Sequence, residues 1–351
     1  MAAHEDLDDV ATLLARAQAG GDAEFEALMR PHRARLRAHC YRMLGSVHDA
    51  EDAVQETLLN AWRGLPAFEA RSSLTTWLYR IATRVCLRMA ERRGPRLAAY
   101  ELNPPRRDAH DLGDLLRDDN YLQPYPFDPV DPDADPAVAA IERESVELAY
   151  VAALQHLSAN QRAALLLRDV LAFPAADVAR LLDTTVPAVN SALQRARDTM
   201  AKRADAPGTQ ARRWAGLGEG PQRELVHRLI TAWEASDVEA FVALLAADVR
   251  LSMPPYPAWY RGRDNVARFL AERVLTSQWR VVQIRANNQL ALAGYMADPE
   301  QPGPHAPYNE ITVVDLAADG TIAELTAFLD TGMRTHFDLP ESLPLPKRST
   351  T

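Results

Sequence analysis

Length, charge and cysteine content exclude several classes of protein before any motif is considered. The chain has 351 residues, which is enough for two or three domains with separate cores. Its formal net charge is -9, and Cys40 and Cys86 are its only cysteines, so neither a disulfide framework nor a cysteine zinc site is indicated. The acidic N-terminus does not resemble a signal peptide, and no apolar run approaches the length of a membrane span. We expect a cytoplasmic protein without a metal or cofactor.

The first block of the chain, residues 11–95, is predicted to be a small helical bundle. Apolar residues recur there at helical spacing in three stripes, which include Leu28, Leu36, Cys40, Val54, Leu58, Ala61, Leu74, Leu78 and Ile81. The second helix, within Ser46 to Arg63, carries a group of acidic and amide side chains that we expect on its surface. They are Asp49, Glu51, Asp52, Gln55 and Glu56. Such a group is either a solvated face or a binding surface.

The third helix of this block is basic. Arg80, Arg84 and Arg88 follow one another at four-residue intervals, and Arg92 and Arg93 lie beyond them. Like charges at this spacing destabilise an isolated helix, and a polyanion would relieve the repulsion. Trp77 lies beside this face, where an aromatic ring can stack on an unpaired base, although its position in the apolar stripe favours the core.

The segment 96–140 is predicted to be an acidic linker. Asp108 to Pro136 contains nine Asp against one Arg, whereas Arg71 to Arg107 contains nine Arg against two Glu. The net charge of the whole chain is therefore negative although residues 71–107 form a strongly basic region. Proline and aspartate dominate the linker, and its weak periodicity predicts no core of its own.

The second helical block, residues 141–204, contains the stretch "LLDTTVPAVNSALQRAR", which is typical of two helices joined by a polar turn. Thr185 is the predicted N-cap of the second helix, and Pro187 fits its first turn. A group of polar and small residues then faces away from the core: Val186, Pro187, Asn190, Ser191, Gln194 and Arg197. Asn, Gln and Arg side chains can read base edges in a major groove. A plain helical hairpin with a polar outer face remains the alternative.

The third block, residues 222–340, mixes helices with strands. Alternating apolar residues predict strands in "QLALAGYM" and "EITVVDLAADGTIAELTAFL", and Asp319-Gly320 predicts a hairpin turn. Aromatic residues that could line an enclosed pocket are Trp233, Tyr256, Trp259, Trp279, Tyr295 and Phe328. Candidate acid/base residues are Asp248, Glu310 and His336, but their spacing forms no recognisable catalytic pair.

The first two blocks together resemble a bacterial RNA polymerase sigma factor of the extracytoplasmic function group. The resemblance rests on "DAEDAVQETLLNAW", "SSLTTWLYRIA" and "TTVPAVNSALQRAR" in that order. It implies two all-α sigma domains, a helical bundle and a helix-turn-helix, joined by the linker. It also implies core RNA polymerase and promoter DNA as partners.

Site residues follow from this resemblance. The polymerase-binding set would be Asp49, Asp52, Gln55, Glu56 and Asn60. The set for the minus-ten element would be Trp77, Arg80, Arg84, Arg88, Arg92 and Arg93, and the six outward residues of the second block would read the minus-thirty-five element. The chain departs from the family pattern at Arg84 and Arg88, where Asn and Asp are common, and at Ala192, where a basic residue is usual.

The third block resembles a SnoaL-like domain of the ketosteroid-isomerase cone fold, an α+β structure. The resemblance rests on "YRGRDNVARFL" and on "TAFLDTGMRTHFDLPESLP". It implies a regulatory domain with an unidentified small-molecule ligand, and we expect it to hold the sigma domains in an active arrangement. Two alternatives remain: a ligand-responsive helix-turn-helix regulator that does not join polymerase, and a cyclase or isomerase with helical accessory domains.

Overall fold

The computed structural model describes residues 11–116, 121–126, 145–203, 205–298, 300 and 303–345. It divides the chain into two compact units, each built from separate stretches of sequence. Among the described residues, no helix is both long and apolar enough to span a membrane. No group of three or more His, Cys, Asp or Glu side chains within these ranges is arranged to hold a metal ion.

The first unit contains the first helical block and residues 153–204 of the second block, whereas residues 146–152 belong to the second unit. Its first block forms α1 (Asp22–Met29), α2 (Arg33–Leu44), α3 (Val47–Gly64) and α4 (Leu74–Arg93). Gly45 ends α2 in the left-handed conformation, with φ of 72°, which glycine adopts without strain. Ser46 and Ser73 then cap α3 and α4, as each accepts a hydrogen bond from a backbone N–H three residues later.

The second helical block contributes its residues from 153 onward to the first unit. After the linker, α6 (Leu148–Leu154) leads to α7 (Ala159–Leu165), α8 (Ala175–Leu181) and α9 (Val186–Arg203). Ser158 and Gln161 form the reciprocal cap of α7 that is typical of such a sequence. Leu167, Val178, Leu181 and Val189 form the small core between α8 and α9. The predicted helix-turn-helix is therefore present, with Thr185 Oγ1 accepting from the Ala188 N–H.

The second unit is built on one curved, mixed sheet. Its strands are β1 (Leu245–Ser252), β2 (Trp259–Arg261), β3 (Trp279–Ala286), β4 (Gln289–Met296), β5 (His305–Leu316), β6 (Ile322–Phe328) and β7 (Ser342–Pro344). The strand order is β2-β1-β6-β5-β4-β3, and β7 pairs with β5. Only the β1–β6 pair is parallel among these ladders. The predicted hairpin turn at Asp319-Gly320 joins β5 to β6, with φ of 84° at Gly320.

Helices cover one face of this sheet. They are α10 (Thr209–Leu217), α11 (Glu219–Glu234), α12 (Val238–Val242) and α13 (Arg263–Phe269), and the short α14 (Met333–His336) follows β6. The main core lies between these helices and the sheet, and includes Leu229, Trp233, Phe241, Trp279 and Val314. Helix α12 ends at Val242, shortly before β1 begins at Leu245 and pairs with β6.

The linker differs from its prediction as a segment without a core, because part of it packs into the second unit. Its described residues 96–116 and 121–126 belong to the second unit, and they include the short helix α5 (Ala99–Leu102). Ala99, Ala109, Tyr121 and Leu122 are buried, so this part of the linker is not a solvated tether. Its aromatic and aliphatic side chains remove apolar surface from water despite the acidic composition around them.

Candidate polymerase-binding and DNA-binding surfaces

The predicted polymerase-binding residues lie along α3. Asp52, Gln55 and Glu56 are exposed, and Asn60 is half-buried. Asp49 is buried, since its side chain is only 4% exposed, and it forms an ion pair with Arg93. The expectation that Asp49 lies on the exposed face is therefore wrong: the first turn of α3 packs under the end of α4.

Next to this acidic face lies the basic helix α4. Arg80, Arg88 and Arg92 are exposed, whereas Arg84 is half-buried. Arg88 Nη2 lies 2.5 Å from Glu56 Oε1, so the predicted polymerase-binding and minus-ten surfaces share an edge. Both side chains are about half exposed, and such a pair contributes little to stability. It can therefore open for a partner at low cost.

A polar cleft of about 480 Å³ lies at the start of α4. Trp77, Arg71 and Arg80 line it on one side, and Asp177 and Arg180 of α8 line it on the other. Trp77 is half-buried and packs against Phe68, with ring centroids 5.0 Å apart. The ring of Trp77 thus packs on Phe68 and also lines the cleft, and its stacking on an unpaired base stays a prediction. Tyr79 is buried, in edge contact with Phe173 and His39.

All six residues predicted to read the minus-thirty-five element are exposed on α9. These residues are Val186, Pro187, Asn190, Ser191, Gln194 and Arg197. The opposite face of α9 is buried through Val189, Leu193, Ala196 and Met200. Gln194 donates to Asp198 at 2.9 Å, and Arg197 makes two hydrogen bonds to Asp169, at 2.7 and 2.9 Å. Two side chains proposed to read bases are thus oriented by neighbouring carboxylates, which the sequence spacing did not indicate.

One residue that the sequence did not single out joins the two helical blocks. Arg162 of α7 is 4% exposed and donates to the backbone carbonyls of Leu154, Gln155, Leu157 and Met43. It also donates to the side chain of Gln155 at 2.8 Å. Met43 lies at the end of α2, and Leu154 ends α6, so Arg162 satisfies carbonyls that helix ends leave unpaired. Loss of hydration lowers the pKa of Arg162 to about 10, and it stays charged at neutral pH.

The aromatic residues predicted to line a pocket do not come together. Trp233 and Trp279 pack against each other in the main core, with centroids 5.7 Å apart. Tyr295 pairs with Tyr308, and Trp259 contacts Tyr100 of the linker. Tyr256 is half-buried in the turn before β2. Phe328 alone of the six lines a described cavity, which measures about 30 Å³, close to the size of one water molecule.

The three acid/base candidates also differ in environment. Asp248 is exposed on β1, and His336 is half-buried in α14. Glu310 is buried on β5 and accepts from Thr312 Oγ1 at 2.8 Å. Burial raises the pKa of Glu310 to about 7, against the opposing effect of that hydrogen bond. One buried carboxyl beside a threonine does not constitute a catalytic pair.

Comparison with known proteins accounts for the whole arrangement. Sigma-70 region 2 matches residues 28–96, Sigma-70 region 4 matches residues 147–200, and a SnoaL-like domain matches residues 226–325. Regions 2 and 4 in this order define an RNA polymerase sigma factor, the subunit that directs core polymerase to promoters.

Two relatives from Mycobacterium tuberculosis (strain ATCC 25618 / H37Rv) narrow the class. The ECF RNA polymerase sigma factor SigG is 42% identical over 325 residues, covering 91% of this chain and 85% of SigG. SigJ is 31% identical over 259 residues, covering 71% of each protein. The crystal structure of M. tuberculosis SigJ matches with a TM-score of 0.56 at 24% identity, over 91% of this chain and 100% of that chain, which supports the fold. The chain belongs to the ECF RNA polymerase sigma factors and carries a SnoaL-like domain at its C-terminal end.

Proposed function

We propose that the exposed face of α3 binds core RNA polymerase. Asp52, Gln55 and Glu56 project from one side of this helix, and Leu59 beside them is 56% exposed. An exposed leucine next to carboxylates offers both an apolar contact and opposite-charge steering to a basic partner. Asp49 plays a different part, because its ion pair with Arg93 fixes α4 against α3.

Charge reversal tests this surface. Asp52→Lys with Glu56→Lys should abolish copurification with core polymerase and leave helicity intact, since exposed charges contribute little to folding. Asp22→Lys with Glu26→Lys is the matched control, as both residues are exposed acids on α1. Equal losses in both double variants, or binding by the first, would contradict the proposal.

We further propose that α4 and α9 contact the two promoter elements. Arg80 and Trp77 line the cleft at the start of α4, and Arg92 extends the exposed basic face toward its end. On α9, the six residues predicted to read the minus-thirty-five element are exposed and form one face of the helix that follows the turn at 183–185. Arginine supplies phosphate affinity in the first surface, and amide and guanidinium groups supply base reading in the second.

The C-terminal domain regulates the sigma factor by holding its linker, in our proposal. The observation that carries this is the position of Asn287 in the two-residue turn between β3 and β4. Asn287 exchanges hydrogen bonds with Tyr125: its N–H donates to the Tyr125 carbonyl at 2.8 Å, and its Oδ1 accepts from the Tyr125 N–H at 2.9 Å. Its Nδ2 donates to the Val146 carbonyl, also at 2.8 Å. One buried side chain thus binds the chain on both sides of residues 126–145.

A neighbouring amide reinforces this clasp. Gln289 Oε1 accepts from the Leu148 N–H at 2.7 Å, at the start of α6. The clasp, formed by Asn287 and Gln289, holds both Tyr125 and Val146, whereas the 20 residues of chain between them allow a separation of about 70 Å when extended. Two promoter elements about 25 base pairs apart are separated by about 85 Å along B-DNA. The clasp therefore restrains the linker that must bridge them. This restraint favours an inhibitory role of the C-terminal domain, in place of the activating role expected from the sequence.

A pair of glycine variants tests the clasp. Asn287 and Asn288 both have positive φ, 53° and 57°, so glycine preserves the turn at either position. Asn287→Gly deletes the side-chain bonds to the linker, and loss of two hydrogen bonds at about 1 kcal/mol each should raise run-off transcription with core polymerase several-fold. Asn288→Gly is the matched control and should match the wild type. Indistinguishable rates for all three proteins would remove the case for regulation through Asn287.

This pair is more informative than removing the domain. A truncation at Arg213 would cut α10, in which Arg213 donates to the Leu316 carbonyl at 2.9 Å and Gln210 exchanges hydrogen bonds with the same residue. Such a truncation also removes the whole sheet, so it exposes buried linker residues such as Tyr121 and Leu122 as well as freeing the linker. Asn287→Gly leaves the sheet and α10 in place and removes only the side-chain bonds of Asn287 to Tyr125 and Val146.

A further inference from the structure

Two carboxylates share one arginine on the sheet face that the linker covers. Asp315 on β5 and Glu324 on β6 are direct register partners, so their side chains project from the same face. Arg250 of β1 donates through Nε to Glu324 Oε2 at 2.9 Å, and also through Nη2. Gln289 donates to Asp315 Oδ1. One positive charge therefore faces two carboxylates in the sheet.

The covering elements add negative charge. Arg250 lies 4.8 Å from the ring centroid of Tyr100 in α5, and a cavity of about 30 Å³ separates the carboxylates from that helix and from α6. Glu101 of α5 acts electrostatically on Glu324, and Glu147, just before α6, acts on Asp315. Both glutamates thus add negative charge around the Asp315–Glu324 pair, and the arginine that bonds to Glu324 is itself 45% exposed and hence partly screened by water.

This cluster is under the linker that the clasp holds. Leu97, Ala99 and Tyr100 of the linker line the cavity together with Leu148 and Ala152 of α6. When the cover is in place, Glu324 is 8% exposed and Asp315 is half-buried. When the cover leaves, both carboxylates regain water, which favours their ionised forms. The charge state of the pair and the position of the cover are therefore coupled.

We propose that docking of the linker on the SnoaL-like domain takes up a proton at the Asp315–Glu324 pair, so that acid tightens the docked state and neutral pH loosens it. The coupling itself is a property of the second unit. Its consequence for transcription rests on the regulatory function proposed above.

The direction follows from the two ionisation states. Loss of hydration, and then the charge of Glu324, raise the pKa of Asp315 to about 7, and loss of hydration also raises the pKa of Glu324. Without the cover Asp315 regains water, and its pKa falls back toward the ordinary aspartate value of 3.8. The docked state therefore binds the proton more tightly, its stabilisation is complete below about pH 4, and it is lost as pH rises toward 7. From pH 7.5 to pH 6 the docking equilibrium should tighten about eightfold.

Amide hydrogen exchange on the full chain tests the coupling. The reporters are the N–H groups of Arg106 and Leu148, which donate to Trp259 and Gln289 in the docked state. After correction for the intrinsic pH dependence of exchange, their opening equilibrium in the wild type should fall about eightfold from pH 7.5 to pH 6. Asp315→Asn, which keeps an acceptor for Gln289 and has no proton to gain, should change less than twofold. Asp248→Asn, an exposed acid on β1, is the matched control and should respond like the wild type.

Two results would overturn the proposal: no pH response in the wild type, or an undiminished response in Asp315→Asn. If Asp315→Asn fails to fold, carboxyl carbon NMR of the wild-type chain gives the same decision. One aspartate should titrate near pH 7, and titration of every aspartate below pH 5 would overturn the proposal. Both measurements are made without polymerase. A failed transcription assay with Asn287→Gly would therefore leave the proton coupling intact, and a failed test of the coupling would leave the regulatory function intact.

Discussion

Arg84 of α4 and Asp183 of the turn before α9 form an ion pair, with Nη2 and Oδ2 2.5 Å apart. Arg84 belongs to the surface proposed for the minus-ten element, and Asp183 precedes the helix proposed for the minus-thirty-five element. The two helical blocks thus contact each other at the surfaces proposed for DNA. Tyr79 and Phe173 add an edge-to-face ring contact with centroids 5.6 Å apart. An arginine paired with a carboxylate is not available to a phosphate.

Opening this pair should therefore favour DNA. Asp183→Asn removes the carboxylate that competes for Arg84, and an exposed pair is worth less than about 1 kcal/mol. We expect binding of a minus-ten fork-junction duplex to strengthen by about twofold to fivefold at 0.1 M salt, with the gain lost at 0.5 M salt. Fluorescence anisotropy with the polymerase-bound protein measures it. Asp198→Asn serves as a control on α9, and weaker binding in Asp183→Asn would contradict the competition.

Unlike the exposed Arg84–Asp183 pair, the buried contacts of Arg162 should contribute strongly to stability. Arg162→Ala leaves buried carbonyls of Met43, Gln155 and Leu157 without their donor, and each such group costs about 1 to 3 kcal/mol. We expect the free energy of unfolding of the first unit to fall by about 3 to 5 kcal/mol. Urea denaturation followed by circular dichroism gives the value. A change below 1 kcal/mol, no larger than that in Asp183→Asn, would show that the carbonyls find other donors.

The elements that the sequence predicted well are those with local signals. Helical periodicity and the turn before α9 are determined by neighbouring residues, and both are present in the structure. The exposed face of α9 follows directly from that periodicity. Asp49 was misplaced because its burial depends on Arg93, which lies 44 residues further along the chain.

Long-range contacts explain the other differences. The linker is polar in composition, yet Tyr121 and Leu122 are buried in a unit formed mainly by residues beyond 205. The pairing of Asn287 with Tyr125 joins residues 162 positions apart, and no periodicity within either segment indicates it. The six pocket aromatics were grouped by residue type, whereas strand alternation places neighbours such as Trp259 and Tyr260 on opposite faces.

The two classes of DNA contact should separate in a promoter series. Asn190→Ala and Gln194→Ala remove exposed amides from α9, and each should cost about 1 to 3 kcal/mol on the preferred promoter while relaxing one base position. Arg92→Ala should weaken every promoter alike and lower the salt dependence by about one counterion. Run-off transcription on single-base promoter variants, at several salt concentrations, compares them. Equal losses on every sequence for all three variants would contradict this division of roles.

Glu310 predicts a pH-dependent stability of the SnoaL-like domain. Its carboxyl is 5% exposed on β5, close to the side chain of Trp279, where Gly294 leaves room for both. Burial raises its pKa from 4.5 to about 7, so the folded domain binds this proton more tightly than the unfolded chain. The stabilisation is complete below pH 4.5 and is lost as pH rises toward 7, which amounts to about 3 kcal/mol between pH 4.5 and pH 8.

Glu310→Gln should remove that loss. Glutamine keeps an oxygen that can accept from Thr312 and carries no charge to desolvate, so at pH 8 we expect the variant to unfold at a higher temperature than the wild type. At pH 5, where the wild-type carboxyl is already protonated, the two melting temperatures should converge. Asp248→Asn is the control, because an exposed carboxyl should give the same small difference at both pH values. Differential scanning calorimetry of the three full chains at pH 5 and pH 8 gives the melting temperatures. Equal melting temperatures of the wild type and Glu310→Gln at pH 8 would show that Glu310 ionises at no cost in its buried position.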